Sequence, residues 1–236
     1  MQEHSQQAIN AFSRLRGFWT EERGLTVLLV LLLLHIFVLA PARFLGHAFQ
    51  IIGALFLSLM LIEGLLTMVK PRALRWIGTV IVAGVVLFKT AALFWSIPWL
   101  IAGDALFTLL AVSVLVYIVF RQLSGEGPVT AHRVRGAIAE YLLIAMLFAF
   151  LYSLIEGLVP GAFNIPGSSS AQGETFYYFS VVTLTTVGFG DITPVHPFVR
   201  SLVMIEALIG QLYPVVLLSR LVTLELETRR SGTGGN

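Results

Sequence analysis

The sequence contains no cysteine and little charge. Without cysteine, the chain can form no disulfide, no thiolate metal site and no thiol nucleophile. Charged residues make up 12% of the 236 residues and hydrophobic residues 57%, whereas soluble domains have about 25% and about 45–50%. So few charges cannot cover the surface of a soluble protein of this length. The composition therefore predicts a membrane protein, and the net charge of +2 does not suggest a nucleic acid partner.

Short motifs of common enzyme active sites are also absent from the sequence. It holds no His-Glu-x-x-His, no Gly-x-Ser-x-Gly and no Gly-x-x-x-x-Gly-Lys string. Its histidines are scattered over different segments, at His4, His35, His47, His132 and His196. We therefore expect neither enzymatic activity nor a metal site built from histidines.

Six apolar stretches are candidates for membrane-spanning helices. A helix needs about 20 mostly apolar residues to cross a bilayer. The six stretches are residues 25–40, 48–69, 73–93, 97–120, 137–159 and 198–224. The sequence therefore predicts an all-α membrane protein with six transmembrane helices.

The first of these stretches has two interpretations. It is the shortest, and the three arginines before it are typical of a signal peptide. Residues 7–22 instead place their apolar side chains on one helical face. That pattern favours an interfacial helix that leads into a retained span.

Lys and Arg lie mostly on one side of the predicted membrane. Cytoplasmic loops carry an excess of these residues. If the N-terminus is cytoplasmic, 12 of the 15 Lys and Arg residues fall on the inner side, and only Arg43, Lys89 and Arg200 on the outer side. This asymmetry predicts that both termini are cytoplasmic and that residues 176–197 face outside.

The segment 160–197, between the last two apolar stretches, contains no Lys or Arg. It begins with a loop rich in Gly, Ser and Pro. Residues 174–184 then predict a helix that is too short to cross a membrane but suited to enter it and return. Irregular backbone occurs at membrane depth only where it is buried in protein or lines a water-filled path. The segment therefore predicts a re-entrant pore loop.

A glycine-rich string, Thr-Thr-Val-Gly-Phe-Gly-Asp at residues 185–191, follows this short helix. The string resembles the selectivity filter of potassium channels, in which rings of backbone carbonyls and a ring of Thr hydroxyls replace the water of a dehydrated K⁺. Successive carbonyls point inward only if the backbone alternates through conformations that glycine tolerates easily, which explains Gly188 and Gly190. The residues expected to bind the ion are Thr186, Val187, Gly188, Phe189 and Gly190.

This string closely resembles the selectivity filter of potassium channels. Residues 135–163 and 176–222 are similar to the pore module of a bacterial six-transmembrane potassium channel family. The resemblance implies a homotetramer, because one chain supplies one filter strand, and K⁺ as the permeant ion without another cofactor. It makes Asp191 the outer carboxylate, which together with Thr185 and Tyr178 is expected to support the filter.

Two residues depart from the pattern of the family. Phe189 stands where Tyr is more usual, so a hydroxyl that would pin the filter to the pore helix is missing. Val182 occupies a position where some relatives carry a Glu that pairs with the carboxylate corresponding to Asp191. We expect Tyr178 to pair with Asp191 instead, and K⁺ preference to survive with a less braced filter.

The fourth apolar stretch argues against voltage sensing. Sensing needs roughly 3–4 charges per subunit that cross the field, yet residues 97–120 contain Asp104 and no Arg or Lys. Lys89 and Asp104, near the outer ends of the third and fourth stretches, could pair with each other or extend separately to the headgroups. Neither alternative makes them functional.

The last stretch contains a candidate gating hinge. Pro214 cannot donate a hydrogen bond to the carbonyl four residues earlier, which belongs to Gly210. We predict that the helix bends here to open, with a static kink as the alternative. Glu206 is an ionisable residue inside a span and a functional candidate by default, or it satisfies a polar group of the pore helix. Glu140 and Glu156, nearer the span ends, are expected to be solvated.

We predict a homotetrameric, potassium-selective, voltage-independent channel in the inner membrane of a prokaryote, with copies of itself and membrane lipids as partners. The expected domains are a cytoplasmic N-terminal segment (1–24), a voltage-sensor-like domain without gating arginines (25–120), a linker helix (121–136), a pore domain (137–224) and a cytoplasmic tail (225–236). The alternatives are a non-selective cation channel and a proton-coupled transporter. A transporter would use the intramembrane charges Glu63, Lys89, Asp104, Glu140 and Glu206.

Overall fold

The structure, a computed structural model, describes residues 24–42, 45–68, 72–95, 98–124, 131–166 and 173–233. The predicted interfacial helix at 7–22 lies outside these ranges. So do residues 125–130 of the predicted linker and residues 167–172 of the loop before the predicted pore helix.

The described residues are almost entirely helical. In chain order, the elements are α1 (Gly24–Ala42), α2 (His47–Met68), α3 (Arg72–Phe94), α4 (Pro98–Leu123), α5 (Ala131–Leu158), β1 (Phe163–Asn164), α6 (Gly173–Leu184), β2 (Thr193–Pro194) and α7 (Pro197–Thr233). One turn of α1, His35–Leu39, is π-helical.

Among the described residues, four helices are both long and apolar enough to cross a membrane. They cover Gly24–Ala42, Ala102–Leu123, His132–Leu158 and Pro197–Leu217. The helices α2 and α3 have 22 and 23 residues, and at about 1.5 Å per residue each is about 33 Å long. Their apolar segments are shorter, at Ala48–Ile62 and Gly78–Ala91. The chain is therefore a multi-pass membrane protein with at least these four candidate spans.

The first four helices pack mainly on their chain neighbours, and α4 joins them to α5. The helix α1 buries Leu25, Leu28 and Leu32 to 2% exposure or less, and their spacing places them on one helical face. On α4, Val112 and Leu115 are fully buried in the same core. One apolar core thus runs from the first four helices into the pore region.

Two predicted boundaries differ from the structure. The linker helix expected at 121–136 is not a separate element, because residues 121–123 complete α4 and residues 131–136 begin α5. No proline interrupts residues 131–158, so α5 extends as a single helix. The tail expected at 225–236 continues α7 as a helix as far as Thr233, since Glu, Leu and Arg are strong helix formers.

Strand pairing and hydrogen bonds to Glu156 hold the start of the loop between α5 and α6. Strands β1 and β2 pair antiparallel, with Phe163 opposite Pro194. The Glu156 carboxylate accepts hydrogen bonds from Gly161 N at 2.8 Å and from Phe163 N at 3.1 Å. Glu156 is therefore a loop cap rather than the purely solvated group that the sequence suggested.

An aromatic cluster fixes α6 against α5. Tyr152 of α5 meets Phe163 and Phe179 with ring centroids 5.4 Å apart in both pairs. Phe163 also meets Phe176 at 5.0 Å. Edge-to-face pairs of this kind contribute about 0.5–1.5 kcal/mol each beyond burial, and they hold the short helix in one orientation.

Candidate functional site

The helix α6 ends in a Schellman motif, which sets the direction of the glycine-rich strand. Thr186 N donates a hydrogen bond to Thr183 O at 2.9 Å. Val187 N and Gly188 N both donate to Val182 O, at 3.0 and 3.3 Å. The bonds from Thr186 N to Thr183 O and from Val187 N to Val182 O define the motif. Thr186 occupies its left-handed position, with φ of 60°. The strand therefore leaves the helix through a fixed turn.

Backbone handedness alternates along this strand. Thr186, Gly188 and Gly190 have φ values of 60°, 57° and 78°, while Val187 and Phe189 between them do not have positive φ. Backbone that alternates in this way gathers its N–H groups on one side and its carbonyls on the other. The carbonyl side can offer several oxygen ligands to a cation.

The two glycines are needed for conformation rather than for space. A Cβ atom added at Gly188 or Gly190 would meet no atom within 4 Å, but both residues have positive φ. Other L-residues adopt that conformation at a cost of roughly 1–2 kcal/mol. The side chains around them are exposed on the single chain, 54% for Val187 and 69% for Phe189.

Tyr178 braces the outer end of the strand. Its hydroxyl donates a 2.8 Å hydrogen bond to Asp191 Oδ2, so the pair expected from the sequence is formed. Its ring is parallel to that of Phe189, with centroids 6.4 Å apart.

A buried polar cluster lies where α5, α6 and α7 meet, behind the strand. Glu206 of α7 has no exposed surface. Tyr152 of α5 donates a 2.6 Å hydrogen bond to Glu206 Oε2, and Glu206 Oε1 is within hydrogen-bonding distance of the Ser180 hydroxyl of α6. That hydroxyl also lies 2.7 Å from Ala145 O. Glu206 thus contacts polar groups of the short helix, as the sequence analysis allowed.

Tyr141 connects the end of α6 to the candidate hinge. Its hydroxyl lies 2.8 Å from Leu184 O, the last carbonyl of α6, and 3.3 Å from Gly210 O. The second carbonyl is the one that Pro214 leaves without its helical partner. A Cβ atom at Gly210 would lie 1.8 Å from Leu184 O, so α7 can approach α6 this closely only with glycine here.

The first helix also reaches α6. His35 Nε2 lies 3.2 Å from the Tyr177 hydroxyl, and the two rings meet edge to face at 5.6 Å. His35 belongs to the π-helical turn of α1, a feature that is frequent at functional sites. The contact joins the first four helices to the short helix.

Lys89 of α3 and Asp104 of α4 form an ion pair away from this site. Lys89 Nζ lies 2.8 Å from Asp104 Oδ1, so the two residues pair with each other. Thr108 donates a 3.3 Å hydrogen bond to Asp104.

Glu140 of α5, expected to be solvated, is instead 1% exposed. Within the described residues, His, Asp and Glu form no group of three that could hold a metal ion.

The structure brings most predicted residues together around the end of α6. Thr185 caps that helix, with its N–H and hydroxyl both bonded to Val181 O at 3.0 and 2.7 Å. Gly210 contacts the helix directly, whereas Pro214 lies one turn further along α7. Sequence reasoning missed Tyr141, Tyr152 and Ser180, although polar residues in apolar helices are a signal for such contacts.

Comparisons with known proteins find similarity in the part of the chain that holds this site. Residues 140–226 match a family described as "Ion channel". The inward rectifier potassium channel Kirbac3.1 of Paramagnetospirillum magnetotacticum is 36% identical over 76 residues, which are 30% of this chain and 22% of that protein. Protein LctB of Geobacillus stearothermophilus is 37% identical over 81 residues, 32% of this chain and 59% of that protein.

A second LctB, from Bacillus caldotenax, is 31% identical over 87 residues, 35% of this chain and 64% of its own length. The chain thus spans less than two thirds of each of these relatives. No solved structure matches the chain. The matched residues include most of α5, all of α6, the glycine-rich strand and most of α7, and this part of the chain is similar to an ion channel family.

Proposed function

We propose that the protein is a potassium-selective channel that conducts K⁺ passively through a homotetrameric pore. The observation that carries the proposal is the alternation of left-handed backbone at Thr186, Gly188 and Gly190 directly after a short helix. Such alternation within an ion channel domain is the conformation that a filter of backbone carbonyls requires. The potassium channel named among the similar proteins adds support.

In this proposal the strand replaces the water around the ion. The carbonyls of residues 186–189 and the Thr186 hydroxyl coordinate K⁺, while Gly190 turns the strand toward the outside. Val187 and Phe189 point away from the ion, and Phe189 stacks on Tyr178. The C-terminal end of α6 carries a partial negative charge, which favours a cation on the inner side of the strand.

A ring of carbonyls needs four chains, because each chain has one such strand. The surface of α7 supports this assembly. Apolar side chains repeat every four residues along it and are 57–64% exposed in the single chain, at Met204, Leu208, Leu212 and Val216. An exposed apolar row beside an exposed filter strand fits a helix that lines a pore and packs on its copies.

The remaining helices complete a six-span subunit that does not sense voltage. In this arrangement α1 to α4 form a voltage-sensor-like domain, and both termini are cytoplasmic in a prokaryotic inner membrane. Asp104 of α4 is already paired with Lys89, and Arg121 lies in the last turn of α4. Too few charges remain for steep gating, which takes roughly 3–4 per subunit. We propose opening by bending of α7 at Gly210 and Pro214.

The missing hydroxyl of Phe189 favours a second candidate, a non-selective cation channel. Only the Tyr178–Asp191 bond and the ring stack brace the outer strand among the contacts described here. A proton-coupled transporter would instead use the buried Glu140 and Glu206. Ion flux distinguishes the three functions.

The test is K⁺ and Na⁺ flux from purified protein in liposomes, with and without barium. We expect barium-sensitive K⁺ flux, little Na⁺ flux and loss of K⁺ flux in Gly188→Ala. The matched control is Gly157→Ala, because Gly157 is helical, without positive φ, and has no atom within 4 Å of an added Cβ. Equal Na⁺ flux would favour the non-selective channel, and flux that needs a proton gradient would favour the transporter.

A further inference from the structure

We propose that Glu206 is held as a neutral carboxylic acid and that its proton ties the pore helix α6 to the inner helix α7. Glu206 is then a positioning residue, which acts on the filter through Ser180. The effect on conduction rests on the proposed channel function, whereas the protonation state can be measured independently of it.

The count of hydrogens at Ser180 carries the inference. The Ser180 hydroxyl has one hydrogen but contacts two oxygens, Ala145 O at 2.7 Å and Glu206 Oε1. A backbone carbonyl can only accept, and an ionised carboxylate can only accept as well. If Glu206 were ionised, one of the two contacts would therefore lack a hydrogen.

A protonated Glu206 satisfies every contact in the cluster. Its Oε1–H donates to Ser180 Oγ, and Ser180 donates its own hydrogen to Ala145 O. Tyr152 donates to Glu206 Oε2. A carboxylic acid supplies one donor and keeps acceptor capacity, which matches the three neighbours.

The surroundings of Glu206 also disfavour a charge. The side chain is fully buried, and an ionised carboxylate in such a place needs a cation or several donors. The titratable groups that face it are the phenols of Tyr152 and Tyr141, both from α5. The helix α6 contributes only the Ser180 hydroxyl, and no cation is in contact with Glu206 among the described residues.

Ser180 connects the Glu206 contact to the proposed filter through α6. It lies one turn before Leu184, on the helix whose Val182 carbonyl receives the N–H groups of Val187 and Gly188. Removing the proton leaves Ser180 with a single hydrogen for two acceptors, so α6 loses its bond either to α5 or to α7. We therefore expect the filter support to be present at low and neutral pH and to be lost as the pH rises.

The first experiment is infrared difference spectroscopy at neutral pH on purified wild-type protein and Glu206→Gln. We expect the wild type to show a carboxylic acid C=O band that the variant lacks. Glu140→Gln is the matched control, because Glu140 is the other buried carboxyl of the pore region among the described residues. An acid band unchanged in Glu206→Gln would show that Glu206 is ionised and would overturn the proposal.

The second experiment measures K⁺ flux against pH. Gln keeps an acceptor oxygen and offers an NH₂ donor group, so Glu206→Gln should retain wild-type flux at neutral pH and lose the decrease at high pH. Glu206→Ala should reduce flux by at least about tenfold, the equilibrium effect of leaving buried hydrogen bonds unmade.

Two results would contradict the tie. One is a tetrameric Glu206→Gln protein that conducts as poorly as Glu206→Ala. The other is a Glu206→Gln protein that keeps the pH profile of the wild type. If no variant and no wild type conducts, the proposed function fails, and the infrared result still decides the protonation of Glu206.

Discussion

Thr186 combines two demands at one residue. As the left-handed position of a helix cap this site favours glycine, but the ion ligand that we propose at Thr186 needs a hydroxyl. Its φ of 60° is unusual for a β-branched residue. Strain of this kind persists where the surroundings fix the backbone, and it is concentrated at functional sites.

Thr186→Gly should therefore move stability and function in opposite directions. Removing the side chain relieves the left-handed strain, and we expect unchanged or higher thermal stability, by up to about 1 kcal/mol. Loss of the four Thr186 hydroxyls that line the proposed tetrameric pore should lower K⁺ flux. Thr186→Ser, which keeps the hydroxyl, is the control and should conduct better than the glycine variant. A glycine variant with full flux would argue against a role for the hydroxyl.

Gly210 makes a different use of glycine, because here space decides. An added Cβ would lie 1.8 Å from Leu184 O, and this atom is backbone that cannot rotate away. We expect Gly210→Ala to separate α7 from α6, at a cost of about 1–3 kcal/mol, and to lower the melting temperature and K⁺ flux. Gly157→Ala should do neither; equal effects of the two changes would refute the close contact as the cause.

At the scale of helices, Tyr141 connects the C-terminal end of α6 to the turn of α7 that we propose as a hinge. One hydroxyl lies near both Leu184 O and Gly210 O. The hydroxyl has one hydrogen, which the two carbonyls share. Because Pro214 leaves Gly210 O without its helical donor, the longer contact, at 3.3 Å, still stabilises the observed conformation of α7. Bending at the proposed hinge would change the distance between the Tyr141 hydroxyl and Gly210 O.

Tyr141→Phe removes the hydroxyl and keeps the ring. We expect a shift of roughly 0.5–1.5 kcal/mol in the equilibrium between hinge conformations, the usual worth of one hydrogen bond. Single-channel recording should show it as a several-fold change in open probability with unchanged conductance. Tyr213→Phe is the comparison, because its hydroxyl bonds to Ala137 O instead. An unaltered open probability in Tyr141→Phe would remove Tyr141 from gating.

At the scale of the whole molecule, the sequence predicted local features better than contacts between distant segments. The order of helices and the filter string are local, and the Tyr178–Asp191 and Lys89–Asp104 pairs join residues 13 and 15 positions apart. The Tyr152–Glu206 bond spans 54 positions. Such a contact depends on how α5 and α7 pack against each other, which no periodic pattern encodes.

The Lys89–Asp104 pair gives a prediction about the first four helices. Removing one charge leaves the other unpaired in an apolar environment, so Asp104→Asn should lower the melting temperature. The double variant Lys89→Gln with Asp104→Asn should recover part of this loss. We expect open probability to depend equally little on voltage in all three proteins. A voltage dependence that changes with these charges would contradict a structural role.

The length of α7 would amplify any bending at the proposed hinge. The helix has 37 residues, about 55 Å at 1.5 Å per residue, whereas the hydrocarbon core of a bilayer is about 30 Å thick. From Gly210 to Thr233 the arm is about 35 Å long. A rotation of about 10° at Gly210 would therefore displace its far end by about 6 Å. A small force applied at the end of this arm would therefore exert a large torque on the residues of the proposed hinge.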